Sequence, residues 1–314
     1  MPSIRSCADG EHIASLETFE VELPGLLDVA ASIERFRRWG DDLIDRWDGE
    51  TMLRVLHLPS GETPFAAQSL GTLERPRLRV QLPVGVDRAA ASGEIETMFV
   101  QADIGRLAAT DPAVAAANER FPGHRPVLER DPLTALVRSV SAQQINLTFA
   151  ATVRRRLVQA FGRRHAIGEH EVWSLDVEQL AGAGVAAIRE LQFTTRKAEY
   201  IIGIAQRIAA DPLHFAELAA VPDEEVLRRL TAMPGIGRWS AEWYLARTLG
   251  RPVVAAGDLG VRKAIGKAYF EGRMPSEQEV RQATAHWSDA AGVAQQLLLE
   301  YLNAKPSTGS SLSA

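Results

Sequence analysis

The stretch MPGIGRWSAEW, residues 233–243, constrains this chain more than any other. It joins two segments with helical apolar spacing, DEEVLRRLTAM (223–233) and RWSAEWYLARTLG (238–250). PGIG leaves no room for a conventional loop, so the two helices meet in a tight hairpin. Asp223 is the expected N-cap of the first helix, with Val226, Leu227 and Leu230 on its apolar side; Gly250 and Pro252 close the second. Gly235 and Gly237 are expected at positive φ, where the missing Cβ also lets another backbone approach. The turn then leaves amides near Gly237 and Arg238 unpaired at a helix N-terminus. Such an array of N–H groups binds an anion, and a phosphate diester suits it. An ordinary helix–helix corner has the same four residues.

Charge sharpens the choice. The whole chain of 314 residues carries −5, which by itself argues against a nucleic-acid partner. The balance is uneven, however: −7 over residues 1–130 and +2 over 131–314. Between Arg228 and Arg273 nine basic residues face three acidic ones, around the hairpin. The single cysteine, Cys7, excludes an internal disulfide framework, a four-cysteine zinc site and an iron–sulfur cluster. The seven histidines form no HExxH pair, and His165 and His170 do not share a helix face. No cofactor and no protein-ligated metal is expected. No run of about 18 apolar residues and no basic-then-apolar leader is present; the expectation is a soluble, cytoplasmic, monomeric protein without a membrane partner.

Along the chain, TFEVEL (18–23), TMLRVLHL (51–58) and RLRVQL (77–82) alternate as strands do, while LLDVAASIERFRRW (26–39) and a segment around 95–109 have helical spacing. A short helix and connector follow over 111–132. Beyond Asp131 the pattern predicts helices over 132–140, 143–161, 176–182, 184–191, 194–210, 214–219, 223–233, 238–249, 258–269, 276–284 and 291–303. The expected fold is therefore mainly α with an N-terminal α+β domain (1–125), a helical domain (126–305) and a disordered small-residue tail (306–314).

Downstream of the hairpin, VVAAGDLGVRKAIG (253–266) sets Asp258 between Gly257 and a new helix. An aspartate there is ordinarily an N-cap. At this distance from the hairpin, the combination resembles the helix-hairpin-helix, Gly/Pro-rich loop, Asp superfamily of DNA glycosylases. VRSVSAQQINLTFAATV (137–153), LQFTTRKAEYIIGIAQRI (191–208) and the closing helix extend the similarity to the 3-methyladenine-DNA glycosylase II, AlkA-type branch, whose N-terminal domain resembles half of the TATA-binding protein. The resemblance implies hydrolysis of an N-glycosidic bond in base excision repair, on double-stranded DNA with alkylated bases (3-methyl or 7-methyl purines).

Cleavage of that bond develops an oxocarbenium-like sugar, which a carboxylate stabilises. Asp258 matches the family's catalytic aspartate. Bifunctional relatives carry a lysine two residues after the second glycine; here Trp239 stands there, which implies a monofunctional enzyme. Trp239 and Trp243, four apart on one helix, are expected to stack on an extruded cationic base, with Tyr301 of the closing helix as a third pocket residue. Gly235, Gly237, Arg238, Gln143 and Gln144 are the expected DNA contacts, Gln144 matching the residue that enters the duplex gap. Ala255 replaces a proline common before the aspartate, Leu259 replaces a tyrosine of some relatives, and the closing segment lacks a frequent arginine. Two other functions fit the same motifs: a non-enzymatic helix-hairpin-helix DNA-binding module, and a glycosylase for deaminated or mismatched bases.

Overall fold

The structure is a computed structural model that describes residues 15–304. Cys7 and the tail 306–314 lie outside the described residues. The chain opens with β1 (Leu16–Glu22), followed by α1 (Val29–Ile33) and α2 (Arg35–Arg38). The spacing over 26–39 predicts one helix. Two form, with Glu34 at their junction, and the first is capped by Asp28, which accepts from Ala31 N.

β2 (Arg46–Trp47), β3 (Thr51–Leu58), β4 (Gly61–Gly71) and β5 (Pro76–Pro83) complete a five-stranded antiparallel sheet ordered β1-β5-β4-β3-β2. β4 escapes sequence reading because GETPFAAQSLG has small residues and an internal proline instead of apolar alternation. Its pairing with β5 starts only at Ala66, so Pro64, which lacks an N–H, pairs with β3 alone. Period two divides β3: Met52, Leu56 and Leu58 face a core shared with Ile33 and α3 (Arg88–Glu96), while Leu53 faces the other side.

The helix expected around 95–109 is instead the end of α3 and a separate α4 (Ile104–Ala108). Between them Phe99 bridges to Val127, and Asp103 starts α4 by accepting from Arg106 N. α5 (Pro112–Arg120) follows, capped by Asp111.

The helical part runs through α6 (Pro132–Ala142), α7 (Leu147–Phe161), α8 (Val177–Ala181), α9 (Val185–Glu190), α10 (Thr195–Ala210), α11 (Pro212–Glu217), α12 (Asp223–Thr231), α13 (Arg238–Arg247), α14 (Leu259–Tyr269), α15 (Glu277–Thr284) and α16 (Ala291–Asn303). All the predicted helices form, with one shift that matters. The helix expected from residue 143 begins at Leu147, because Gln144 adopts φ +58° and Asn146 caps through Phe149 N. Asp223 is not an N-cap: Pro222 occupies that position, and Asp223 pairs with Arg251 at 2.5 Å.

After α7 comes a hairpin that the sequence pattern leaves unassigned, β6 (Gly162–Ile167) and β7 (His170–Leu175). Its Ile167 and Val172 pack on Leu53 and Ala66, covering the second face of the sheet. The N-terminal and helical parts interlock further. Leu43 and Ile44 enter the core formed by α6, α7, α10, α12 and α13, and Trp173 N donates to Leu43 O at 2.8 Å. Ile104, Leu107 and Val114 enter the core of α14 and α16, around the fully buried Trp287. No helix among the described residues is long and apolar enough to cross a membrane.

Candidate active site

α12 and α13 meet at the hairpin. Gly235 adopts φ +84°, and a Cβ there would lie 2.3 Å from ring atoms of Tyr200 on α10. Gly237 differs from expectation: its φ of −86° and ψ of 176° are extended backbone open to any residue, and a Cβ would meet nothing within 4 Å. The reason is its place as N-cap of α13, which calls for β-region dihedrals. No side chain caps this helix, and Ala241 N is the first of its amides to bond back, to Gly237 O. The amides of the first turn therefore face outward. Gly237 itself borders an open depression of about 550 Å³ that Tyr200, Gln143 and the rest of the hairpin also line.

Gln143 is committed within the protein, since its Nε2 donates to Gly235 O at 2.9 Å. Lys197 of α10 holds the same loop: its Nζ donates to Ser141 O at 2.9 Å and to Gln143 O at 2.7 Å. Gln144 is left exposed at the mouth of the cavity beside Leu147. Arg238 reaches solvent but bonds Glu242, a buried carboxylate that also pairs with Arg281 at 2.7 Å.

Behind the hairpin opens a cavity of about 1000 Å³, with Asp258 in its wall. Asp258 is the N-cap of α14, and its Oδ1 accepts from Val261 N at 2.9 Å. Its Oδ2 accepts from both indoles, Trp239 Nε1 at 2.7 Å and Trp243 Nε1 at 3.2 Å. Three N–H donors thus fix the carboxylate's orientation. The tryptophan spacing of four residues anticipates that both reach one place; what they reach is the aspartate. Trp243 also carries the Arg247 guanidinium 4.4 Å from its ring centroid, so that face is not free for a cationic base. Tyr301 is outside the cavity lining, half-exposed, with Lys267 Nζ 5.6 Å from its ring. Its neighbours on α16, Leu299, Glu300, Leu302 and Asn303, do line the cavity.

Sequence reading misses the opposite wall, which comes from the N-terminal part: Arg35, Phe36, Trp39 and Arg54 line the same cavity as Asp258. An ion cluster stands there. Arg138 pairs with Asp42 and Asp45, Arg154 pairs with Asp42, and Arg54 pairs with Asp45. Burial favours the neutral form of Asp45, yet Arg54 and Arg138 outweigh it and hold the carboxyl below its ordinary range. Burial and the nearby Asp45 push Glu129 up to about 8. Burial brings Arg247 down to about 10 against the pull of Asp258 and Glu300. No local pattern announces these residues; only their convergence does. Among the described residues no group of three or more His, Cys, Asp or Glu side chains forms a metal-sized site.

Residues 137–289 match the family model described as HhH-GPD superfamily base excision DNA repair protein. Over these residues, just under half of its length, the chain is similar to that superfamily. It is 29% identical over 185 residues to a DNA-3-methyladenine glycosylase of Bacillus subtilis, covering 58% of this chain and 61% of the relative. It is 25% identical over 200 residues to DNA-3-methyladenine glycosylase 2 of Escherichia coli, covering 60% and 67%. Its matches thus span only 61% and 67% of the length of these curated relatives. Among solved structures, a 3-methyladenine DNA-glycosylase from Archaeoglobus fulgidus superposes with a TM-score of 0.80 at 25% identity, over 90% of this chain and 98% of that one. The fold expectation, helices with an N-terminal α+β part, stands.

Proposed function

We propose that this protein is a monofunctional DNA glycosylase that hydrolyses the N-glycosidic bond of alkylated purines in duplex DNA. One observation carries the reading: a carboxylate oriented by three N–H donors stands in the wall of a cavity large enough for a base, next to a helix hairpin with outward amides. The hairpin amides and Arg238 hold a phosphate and set the register of the duplex. Gln144, projecting from a loop tied down by Lys197, enters the gap left when the base is extruded, at a cost of a few kcal/mol for unstacking.

The sugar of the extruded nucleotide lies against Asp258. As the bond to the base stretches, positive charge grows on the sugar ring, and the fixed carboxylate stabilises it without reorganising. The same carboxylate orients the attacking water on the face opposite the departing base. A purine alkylated at N3 or N7 is already a good leaving group. Trp239 occupies the position where an amine nucleophile would stand, so the product is an abasic site with the backbone intact.

Mass identification of bases released from methylated and from deaminated DNA tests this reading. Free alkylpurine from the wild type, and none from Asp258→Asn, supports it. Binding without any release leaves a DNA-binding module.

A further inference from the structure

The proposed chemistry leaves one cation of the cavity without a task. Arg35, at the start of α2, is half-buried, lines the same space as Asp258, and has no hydrogen bond or ion pair with any described residue. The other cavity arginines are engaged. Arg38 pairs with Glu300 at 2.6 Å, Arg138 with Asp45 at 2.7 Å, Arg154 with Asp42 at 2.9 Å, Arg54 with Asp45, and Arg247 donates to Gln296. Arg35 is also an uncomfortable charge: burial, and then repulsion from Arg247 and Arg138, lower its pKa well below the ordinary value. A partly desolvated guanidinium without a partner is a costly feature in a folded protein and asks for an acceptor. Asp45 attracts it from the same cavity wall, but that carboxylate is already paired with Arg54 and Arg138.

On the glycosylase reading, we propose that Arg35 supplies base selectivity by donating to a carbonyl oxygen on the edge of the extruded purine away from the sugar. With the sugar at Asp258, the six-membered ring points inward. Guanine and hypoxanthine derivatives present an oxygen at position 6, whereas adenine derivatives present an amino group there. A guanidinium only donates, so it accepts the first class and opposes the second with donor against donor. Trp39 borders the same cavity and suits a planar ring, whereas Phe36 already has the Arg35 and Arg54 guanidinium groups 5.9 and 5.5 Å from its ring centroid. The substrate class is therefore the 6-oxopurines, alkylated or deaminated, ahead of the 6-aminopurines.

The test uses the full chain and three duplexes, each with a single 7-methylguanine, hypoxanthine or 3-methyladenine. Single-turnover release is measured for the wild type, Arg35→Met and Arg35→Lys, with thermal melts alongside. Arg35→Met is expected to slow release of both oxopurines by about 10- to 100-fold, the scale of one charge-assisted hydrogen bond. Release of 3-methyladenine should change by less than about threefold, since no such bond is lost there. Arg35→Lys should recover part of the oxopurine rate. Equal slowing on all three duplexes would overturn the proposal, because it marks a structural role for Arg35; unchanged oxopurine rates would overturn it too. Release by the wild type with an unmoved preference sinks only the role of Arg35. No release of any base by the wild type sinks the glycosylase reading and this one with it.

Discussion

Asp258 and Asp111 have nearly the same local chemistry. Each is a helix N-cap, of α14 and α5, whose Oδ1 accepts backbone N–H. Each offers its Oδ2 to aromatic donors: Trp239 and Trp243 for Asp258, and Tyr269, His286 and Trp287 for Asp111. They differ in what lies on the open side. Asp111 is 3% exposed and binds α5 to the closing helices, whereas Asp258 borders the cavity. A capped and tethered carboxylate is thus structural or chemical according to the space in front of it, and its immediate partners do not decide which.

The largest expected effect tests the chemical side. Asp258→Asn should lower single-turnover base release by about a hundredfold or more, the scale of a transition-state charge term. The Asn carbonyl still caps α14, but its NH2 then faces the Trp239 and Trp243 N–H donors. The rate is therefore read per folded molecule with thermal melts alongside, and DNA binding should persist. A rate near that of the wild type would remove Asp258 from the chemistry and make it a second Asp111.

Asp111→Ala should do the reverse. It deletes a cap and strands the donors of Tyr269, His286 and Trp287, of which Trp287 is buried, a loss of roughly 2–4 kcal/mol in urea unfolding. Release rate per folded molecule should not change. Acid unfolding extends the contrast. Burial raises the Asp111 carboxyl, but the bonds from Tyr269, Val114 N, His286 and Trp287 prevail and hold it below its ordinary value. Its contribution to stability is therefore complete above the unfolded aspartate value of about 3.9 and is lost as pH falls through the lower folded value. Asp111→Asn should flatten the unfolding curve in that window. An unaltered acid limb would mean that the bonds to Asp111 are not worth more to its charged form.

The two hairpin glycines offer a smaller comparison. Gly235→Ala forces a Cβ into Tyr200 at a positive φ and should cost about 2–3 kcal/mol of stability, with weaker binding to undamaged duplex. Gly237→Ala meets neither obstacle and should cost under about 1 kcal/mol, the penalty of an alanine N-cap, with duplex binding nearly intact. Equal losses in the two variants would show that the amides after Gly237 need more room than the free protein displays.

Much of this is legible in the sequence. The hairpin, the helices beyond Asp131 and the placing of Asp258 at a helix start follow from periodicity, glycine and capping chemistry, which act over about ten residues. The errors are equally physical. Gly235 and Gly237 look alike as letters, and only the N-cap geometry separates them. β4 hides behind Pro64, and β6 and β7 hide in a charged stretch whose few apolar residues find their partners on a distant sheet.

The sequence by itself determined that two helices meet at PGIG, that an aspartate follows on a helix N-terminus, and that no amine stands at position 239. Tertiary structure alone decided where those parts point. It turned both indoles onto Asp258, committed Gln143 to the hairpin carbonyl, set Tyr301 outside the cavity, and brought Arg35 and Arg38 across the chain to face residues of α13 and α16. Arg38 and Glu300 are 262 residues apart. Contacts at that separation come from the packing of whole elements against shared cores, which a local pattern of apolar and polar residues does not encode.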